Sequence, residues 1–192
     1  MRQPLEDGDV TVSRVTHAIT FPARFMLIAA MNPCPCGYWG DSRRSCTCTG
    51  SQIHRYRSRI SGPLLDRIDL HVEVPPVTIR ELSLDKEEES SYEIRDRVVQ
   101  ARQTQEQRFA EKKIYANGQM SARMIKKYCH LTENGRNILE KAVEKFGLSP
   151  RAYHRIIRVA RTIADMEKEH HISESHIAEA IQYRVLDKRL TL

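Results

Sequence analysis

The chain has 192 residues, of which 40% are apolar and 29% are charged, a composition typical of a globular protein. No apolar stretch approaches the length of a membrane span, and the polar opening Met1–Asp7 has no signal-peptide pattern, so we expect a cytoplasmic protein with no membrane partner. The formal net charge of +6 permits binding to a polyanion, and it is equally compatible with an ordinary solvated surface.

The first predicted elements are strands. Val10–Val15 alternates, is rich in β-branched residues and is expected to pair with His17–Phe21 as a hairpin. Phe25–Ala30 is a continuous apolar run, which predicts a strand covered on both faces. Ile68–Val74 alternates strictly and predicts a further strand, which Pro75-Pro76 ends.

Between these last two segments lies a cysteine-rich loop. Two Cys-x-Cys pairs separated by nine residues can converge on one tetrahedral ion, and disulfides are rare in the cytoplasm, so a structural zinc site is the leading interpretation. The alternative is four reduced thiols in a loop, because the pairs are tighter than the usual Cys-x-x-Cys. The four candidate ligands are Cys34, Cys36, Cys46 and Cys48.

Two shorter predictions concern the neighbourhood of this loop and the fifth cysteine. Ser51–Arg59 is predicted to form a short basic helix. Cys129 has no cysteine near it in sequence and is predicted to be a core residue.

The second half of the chain is predicted to be helical. Asp85–Ser91 should be an acidic connector, and Ser90 with Glu93 should cap a long helix that ends near Lys113. The face of that helix should carry Ile94, Val98, Ala101 and Gln105.

Further caps predict a small helical bundle after the break at residues 116–118. Ser121, Thr132, Ser149 and Ser173 are each placed to begin a helix, and Gly147 is placed to end one. On the last helix, Ile177, Ala178 and Ile181 are expected to face inward. The apolar residues of the two helices before it are Ile138, Leu139, Ala142, Val143, Phe146, Ile156, Ile157, Val159, Ala160, Ile163 and Ala164. The predicted fold class is therefore α/β followed by all-α.

Four polar residues are candidates for binding a nucleotide, and each also has an ordinary structural explanation. Asn32 follows the apolar run and could orient a water molecule, but Asn-Pro also makes turns. Arg67 could contact a phosphate or pair with a nearby aspartate. Arg151 lies in the first turn of a predicted helix, where a cation is unfavourable unless an anion is present, and Arg155 follows it on a basic stripe that could simply be solvated.

The order of these motifs resembles the AAA+ ATPases and, more narrowly, the magnesium chelatase-like ComM/YifB family. The resemblance covers nearly the whole chain and is most specific in residues 20–74. It implies the second half of an AAA+ α/β core with an incomplete sheet and a β-hairpin over residues 1–80. A connector and long helix would follow over 81–118, and a helical lid domain over 119–192. The matching stretches are Ala30–Gly37, Ser61–Val74, Arg97–Arg102 and Arg158–Asp165.

The same resemblance implies a role for each candidate residue. Asn32 matches sensor 1, and Arg67 matches the arginine finger that reaches the ATP of a neighbouring subunit in a hexamer. Arg151 matches sensor 2, with Arg155 as the alternative one turn later. The hairpin resembles the pre-sensor-1 hairpin, whose tip, near Arg14 and His17, would contact nucleic acid.

Two motifs of such ATPases are missing from this chain. It contains no Gly-Lys pair of a phosphate-binding loop and no apolar run ending in Asp-Glu to hold Mg²⁺. We therefore expect a fragment that shows no ATPase activity by itself, and whose parent uses ATP and Mg²⁺ to remodel DNA by branch migration or helicase action. The alternatives are a zinc-stabilised nucleic-acid-binding module without ATPase activity, or a metal-chelatase motor subunit.

Overall fold

The computed structural model describes residues 2–14, 17–75, 77 and 89–184. The described residues divide into two compact units, one ending at Ile68 and the other beginning at Asp69. Most of the predicted acidic connector Asp85–Ser91 lies outside the described residues. The domain boundaries near residues 80 and 118 stay a prediction.

The first unit begins with a helix and the predicted β-hairpin. Helix α1 (Arg2–Asp7) leads into strands β1 (Asp9–Arg14) and β2 (His17–Pro22), which pair antiparallel. The hydroxyls of Thr11 and Thr20, which are opposite each other in the register, lie 3.0 Å apart. The hairpin prediction is confirmed.

The predicted strand Phe25–Ala30 is wrong. Residues 23–32 belong to no helix or strand, and the side chains of Met26 and Ile28 are 83% and 82% exposed. A strand needs hydrogen-bonding neighbours, and within the described ranges the sheet consists of β1 and β2 alone. The apolar run therefore has no strand to pair with among the described residues, and several of its side chains are exposed to solvent.

The basic helix predicted after the cysteine loop is confirmed as α2 (Gly50–Arg57). Its start is fixed by a capping box in which the hydroxyl of Thr49 accepts from the backbone of Gln52, while the Gln52 side chain accepts from the Thr49 N–H at 2.9 Å. A single-turn helix, α3 (Gly62–Leu65), follows with proline in its first turn.

The second unit contains the long helix α4 (Ser91–Arg108). The capping box of Ser90 and Glu93 is confirmed. The helix ends five residues before the predicted end at Lys113, because the chain turns at Phe109 and places that ring, 1% exposed, in the core. Of the four residues predicted to share one face, Ala101 and Gln105 are buried, whereas Ile94 and Val98 are exposed.

A helical bundle completes the second unit. A 3₁₀ turn (Asn117–Gln119) precedes α5 (Ala122–Tyr128), α6 (Glu133–Phe146), α7 (Pro150–Met166) and α8 (Glu174–Gln182). Over the ranges that the structure describes, no helix combines the length and the apolarity needed to cross a membrane. The buried core contains Phe109, Met120, Ile125, Cys129, Leu139, Ile156, Ile157, Ala160, Ala164, Ile172, Ile177 and Ala180.

The predicted caps begin and end these helices. The hydroxyls of Ser121, Thr132 and Ser149 each accept from the third residue of their helices, and Gly147 ends α6 in the left-handed conformation. Ser173 precedes α8, but there its N–H donates to Nδ1 of the histidine three residues later.

The starts of α6 and α8 lie side by side. Leu131 and Ile172 form a parallel bridge, and the N–H of Thr132 donates to the Ile172 carbonyl at 3.0 Å. This fixes which face of α8 is buried: Ile177 and Ala180 pack inward, whereas Ala178, which was predicted to do so, is exposed.

The predicted strand Ile68–Val74 is also wrong, because its backbone forms no ladder among the described residues. The N–H of His71 instead donates to the carbonyl of Tyr183 at 2.8 Å, and His71 is buried. The alternating apolar residues Leu70, Val72 and Val74 consequently point outward and are exposed.

Candidate metal centre and candidate nucleotide contacts

The four loop cysteines converge, as their spacing predicts. All four sulfur atoms lie within 4.8 Å of one another. The Sγ of Cys34 lies 3.3 Å from that of Cys36 and 3.7 Å from that of Cys46, and the sulfurs of Cys36 and Cys46 are 3.5 Å apart. Four sulfurs at about 2.3 Å from a tetrahedral zinc would be about 3.8 Å from one another. The cluster therefore has the donor set and nearly the dimensions of a Cys₄ zinc site.

Short-range contacts shape the loop that carries these sulfurs. The N–H of Gly37 donates to the Cys34 carbonyl at 3.0 Å, and Gly37 has a φ of 85°, which a residue with a side chain adopts at a cost. In the nine-residue spacer, Oδ1 of Asp41 accepts from the N–H groups of Arg43 and Arg44. The two Cys-x-Cys pairs are thus brought together by turns that the spacer itself closes.

Backbone donors favour a thiolate at one position of the cluster. The N–H groups of Tyr38 and Thr47 lower the pKa of the Cys36 thiol to about 5. For Cys46, the N–H of Cys48 acts in the same direction, but burial and the neighbouring sulfurs outweigh it and raise the pKa to about 12. One negative charge is therefore favoured in this cluster without an ion, and a cation would be needed to stabilise more.

The chemistry that such a centre supports is structural. A zinc ion with four thiolate ligands has no open position, so it orders the loop and does not activate a substrate. Cys129 lies outside the cluster and is buried in the helical core, as predicted, where burial raises the pKa of its thiol to about 11.

Arg67 is anchored in the first unit, just after α3. Its Nη1 donates to the Pro63 carbonyl at 2.5 Å, and its Nη2 forms an ion pair with Glu6, so that its side chain is only 12% exposed. The structure thus gives Arg67 an ionic partner, Glu6, that lies 61 residues earlier in the sequence. Asn32 lies at the end of the irregular segment 23–32 and is exposed.

Arg151 and Arg155 occupy successive turns at the start of α7. Arg151 is exposed in the first turn. Arg155 forms an ion pair with Asp69, which brings the residues that follow Ile68 onto this helix. Arg158, next on the predicted basic stripe, is half-buried, and burial lowers the pKa of its guanidinium. The stripe is therefore not simply a solvated face.

The sequence reasoning missed a buried charge network in the second unit. The fully buried carboxylate of Asp165 accepts from Arg108 at 2.7 Å, from Asn117 at 2.7 Å and from Arg161 at 3.1 Å. Arg161 also donates to two backbone carbonyls in the turn after α7. A signal was present, because an arginine and an aspartate four residues apart interrupt the apolar face of α7.

Two family models match the chain in succession. The model for "Magnesium chelatase, subunit ChlI" matches residues 1–82. The model for "Magnesium chelatase, subunit ChlI C-terminal" matches residues 88–184, which is just over half of the chain.

The similarity to known proteins extends over nearly the whole chain. Competence protein ComM of Haemophilus influenzae is 43% identical over 192 residues, which is 99% of this chain and 36% of that protein. The YifB proteins of Salmonella typhimurium and Escherichia coli are 44% and 40% identical over 193 residues. The chain thus spans little more than a third of the length of these relatives.

Proposed function

Because this chain belongs to the magnesium chelatase subunit ChlI family, we propose that it is part of an AAA+ ATPase that couples ATP hydrolysis to DNA remodelling. The remodelling would be branch migration or helicase action. The observation that carries the proposal is the similarity to ComM and YifB over 99% of the chain, which includes Asn32, the cysteine loop and all three arginine candidates. Since the relatives are much longer, the activity belongs to the whole protein that carries this sequence.

The structure supports a division of roles among the candidate residues. Arg67 is held by the Pro63 carbonyl and by Glu6, so its guanidinium is positioned by the fold, as an arginine finger must be. Arg151 lies where the N–H groups of a 17-residue helix begin, an end that favours an anion such as a phosphate. Arg155, the alternative candidate for sensor 2 one helical turn later, forms an ion pair with Asp69.

In the proposed mechanism these side chains act on charge and on the position of water. The Arg67 guanidinium stabilises negative charge that develops on the phosphoryl group during transfer, on an ATP held by a neighbouring subunit of a hexamer. The Asn32 amide orients the attacking water. Arg151 binds a phosphate at the start of α7, so that the position of the helical bundle depends on whether the phosphate is present.

Magnesium ion is not assigned to residues of this chain. Among the described residues, the only cluster of metal-ligating side chains is the cysteine cluster, and Mg²⁺ requires oxygen ligands.

The experiment that tests the proposal is ATP turnover in the native protein that carries this sequence. With Arg67→Ala, we expect DNA-stimulated turnover to fall by about a thousandfold or more, with ATP binding retained, because a trans-acting arginine serves the transition state. The control is Arg95→Ala, an exposed residue of α4, which should leave turnover unchanged. Equal turnover in the Arg67→Ala protein and the unmodified protein would contradict the proposal.

A second candidate function is favoured by the converged cysteines. A zinc-stabilised nucleic-acid-binding module would use the same loop and the basic helix α2, and it would need no ATP chemistry. Its signature is salt-dependent DNA binding that neither ATP nor Arg67→Ala affects. Because a metal site at the cysteine cluster requires reduced thiols, we propose the cytoplasm as the compartment.

A further inference from the structure

An open groove of about 620 Å³ lies between the cysteine loop and helix α2. One wall comes from the loop and includes two of the four clustered cysteines. The other wall comes from α2 and the turn after it. We call this the α2 groove, and its lining residues are Pro35, Cys36, Thr47, Cys48, Gln52, Arg55, Tyr56 and Arg59.

Three residues of this second wall lie on α2 and one follows it. Gln52 is three and four residues before Arg55 and Tyr56, which places these three on the same side of the helix, and Arg59 lies two residues after the last helical residue, Arg57. The opposite wall is tied to this helix through the chain, because Cys48 directly precedes Thr49, the N-cap of α2. The position of α2, and with it that of Arg55, is therefore tied to the thiol cluster.

The groove lies in a strongly basic part of the chain. Residues 42–65 contain five arginines and one histidine and no aspartate or glutamate. Both Arg55 and Arg59 are exposed, and within the described residues neither guanidinium has a carboxylate partner. The nearest preceding acid, Asp41, accepts from backbone N–H groups of its own loop. An anionic ligand would thus meet two available guanidinium groups.

Aromatic rings lie among these cations. Tyr56 lines the groove itself. Close by in the same unit, the guanidinium of Arg57 lies 4.8 Å from the ring centre of Trp39, and that of Arg44 lies 5.2 Å from the ring centre of Tyr38. A basic groove that presents rings is the combination by which proteins hold single-stranded nucleic acids, since phosphates meet cations and unpaired bases stack.

We propose that the α2 groove binds single-stranded nucleic acid, with Arg55 and Arg59 on successive phosphates and Tyr56 stacked against a base. The proposal rests on the proposed function for DNA as the partner, but it assigns that partner to a place that the ATP chemistry does not use. A structural explanation competes with it: the two arginines could serve only to offset the negative charge of the thiolates. If the groove binds nucleic acid, loss of the two arginines should weaken oligonucleotide binding. If the arginines only offset the thiolate charge, their loss should lower the zinc content.

The first experiment measures binding of a labelled thymidine oligonucleotide by the whole chain, at several salt concentrations and without nucleotide. For Arg55→Gln/Arg59→Gln we expect at least about tenfold weaker binding, and a salt dependence whose slope is smaller by about 1.4, or roughly 0.7 for each lost phosphate contact. The charge-matched control is Arg95→Gln/Arg102→Gln on α4, whose side chains are exposed and outside the groove. Equal losses in the two double variants would overturn the proposal.

The second experiment tests stacking and the form of the nucleic acid. Tyr56→Leu should weaken single-strand binding by about tenfold, whereas Tyr56→Phe, which keeps the ring, should bind within about twofold of the unmodified chain. Duplex DNA bound as tightly as the single strand, with no effect of Tyr56→Leu, would overturn the proposal. Displacement of the oligonucleotide by inorganic phosphate at matched ionic strength would also overturn it, since the groove would then be a site for free phosphate.

The zinc content of the same variants excludes the competing explanation. We expect Arg55→Gln/Arg59→Gln to retain the zinc of the unmodified chain, and loss of zinc in parallel with binding would overturn the proposal. The outcome is separable from that of the ATPase proposal. If the α2 groove does not bind single-stranded nucleic acid, ATP turnover should still depend on Arg67. If turnover does not depend on Arg67, the groove should still bind the oligonucleotide without nucleotide.

Discussion

At the scale of single residues, Cys46 has contacts that account for its importance to the thiol cluster. Its sulfur is 3.7 Å from that of Cys34 and 3.5 Å from that of Cys36, and it accepts from the Cys48 N–H at 3.4 Å. Burial and the neighbouring sulfurs raise the pKa of its thiol to about 12, so a bound cation has to displace its proton. Removal of this one sulfur leaves three donors and an incomplete tetrahedron.

We therefore predict that Cys46→Ser abolishes stable zinc binding. Chain purified without added metal should lose most of its zinc relative to the unmodified chain, as measured by elemental analysis, and the fluorescence of Trp39, the only tryptophan, should change with it. The matched control is Cys129→Ser, which removes a thiol from the helical core and should retain the zinc. Zinc retained by Cys46→Ser, or absent from the unmodified chain, would contradict the site.

Gly147 offers a second test at this scale. It ends α6 with a φ of 58°, and a Cβ at this position would contact nothing within 4 Å. Gly147→Ala should therefore destabilise the helical unit through backbone strain alone, by about 1 kcal/mol in the free energy of unfolding by urea. Gly118→Ala is the control, because Gly118 has equal space and no positive φ and should be neutral. Equal destabilisation by the two changes would show that strain is not the cause.

At the scale of elements, Asp165 connects α4, the 3₁₀ turn and α7. It accepts from Arg108 at the end of α4, from Asn117 in the turn and from Arg161 one helical turn earlier in α7. The N–H of Asn117 also donates to Gln105 of α4 at 3.0 Å. The end of the long helix is thus joined to the bundle by buried polar contacts as well as by the ring of Phe109.

We predict that Asp165→Asn destabilises the helical unit by about 3–5 kcal/mol, because it leaves two arginines in a buried site without a counter-charge. Urea unfolding followed by circular dichroism at 222 nm measures this. Asp96→Asn is the control, since Asp96 is exposed on α4 and its change should cost less than about 0.5 kcal/mol. A loss for Asp165→Asn as small as the control's would show that the network does not stabilise the fold.

The elements also show which structure the sequence predicts and which it does not. The starts of α4, α5, α6 and α7 were predicted because a cap acts within one turn, between residues three apart. The segments Phe25–Ala30 and Ile68–Val74 have strand patterns, but a strand depends on pairing with a distant segment, and no described segment pairs with them. Local signals therefore located the helices and the hairpin of adjacent strands, whereas apolar patterning alone was wrong for the two segments that would need a distant partner.

The same distinction applies to the candidate sites. Close spacing located the cysteine cluster, since four ligands within 15 residues can meet through local turns alone. The partners of Arg67 and Arg155 could not be read from the sequence, because Glu6 and Asp69 lie 61 and 86 residues away from them. For the same reason the network around Asp165, whose partners include residues 48 and 57 positions distant, was missed.

At the scale of the whole molecule, the first unit leaves an unusual amount of apolar surface in contact with water. Met26 and Ile28 are more than four-fifths exposed, and Phe25, together with Ile19 and Phe21 of β2, is about half exposed. Large exposed apolar side chains in this number are unfavourable in water and are normally covered by another surface.

We predict that the isolated chain covers this surface by self-association. Sedimentation velocity should show a larger species that grows with protein concentration, and Met26→Gln/Ile28→Gln should shift it towards the monomer because both changes remove exposed apolar area. Tyr92→Gln is the control, since Tyr92 is similarly exposed but lies on α4. A monomer at every concentration, or association unchanged in the double variant, would contradict the prediction.

The carboxylate of Asp165 has one more consequence, which concerns how the helical unit opens. Arg108 of α4 and Asn117 of the 3₁₀ turn both donate to this buried carboxylate on α7, so release of either segment while α7 stays folded removes a donor from a charge in an apolar interior. Partly opened forms that retain α7 but release α4 or the 3₁₀ turn are thereby made rare. The unit is expected to behave as a single cooperative block, which transmits a movement at one helix as a movement of the whole.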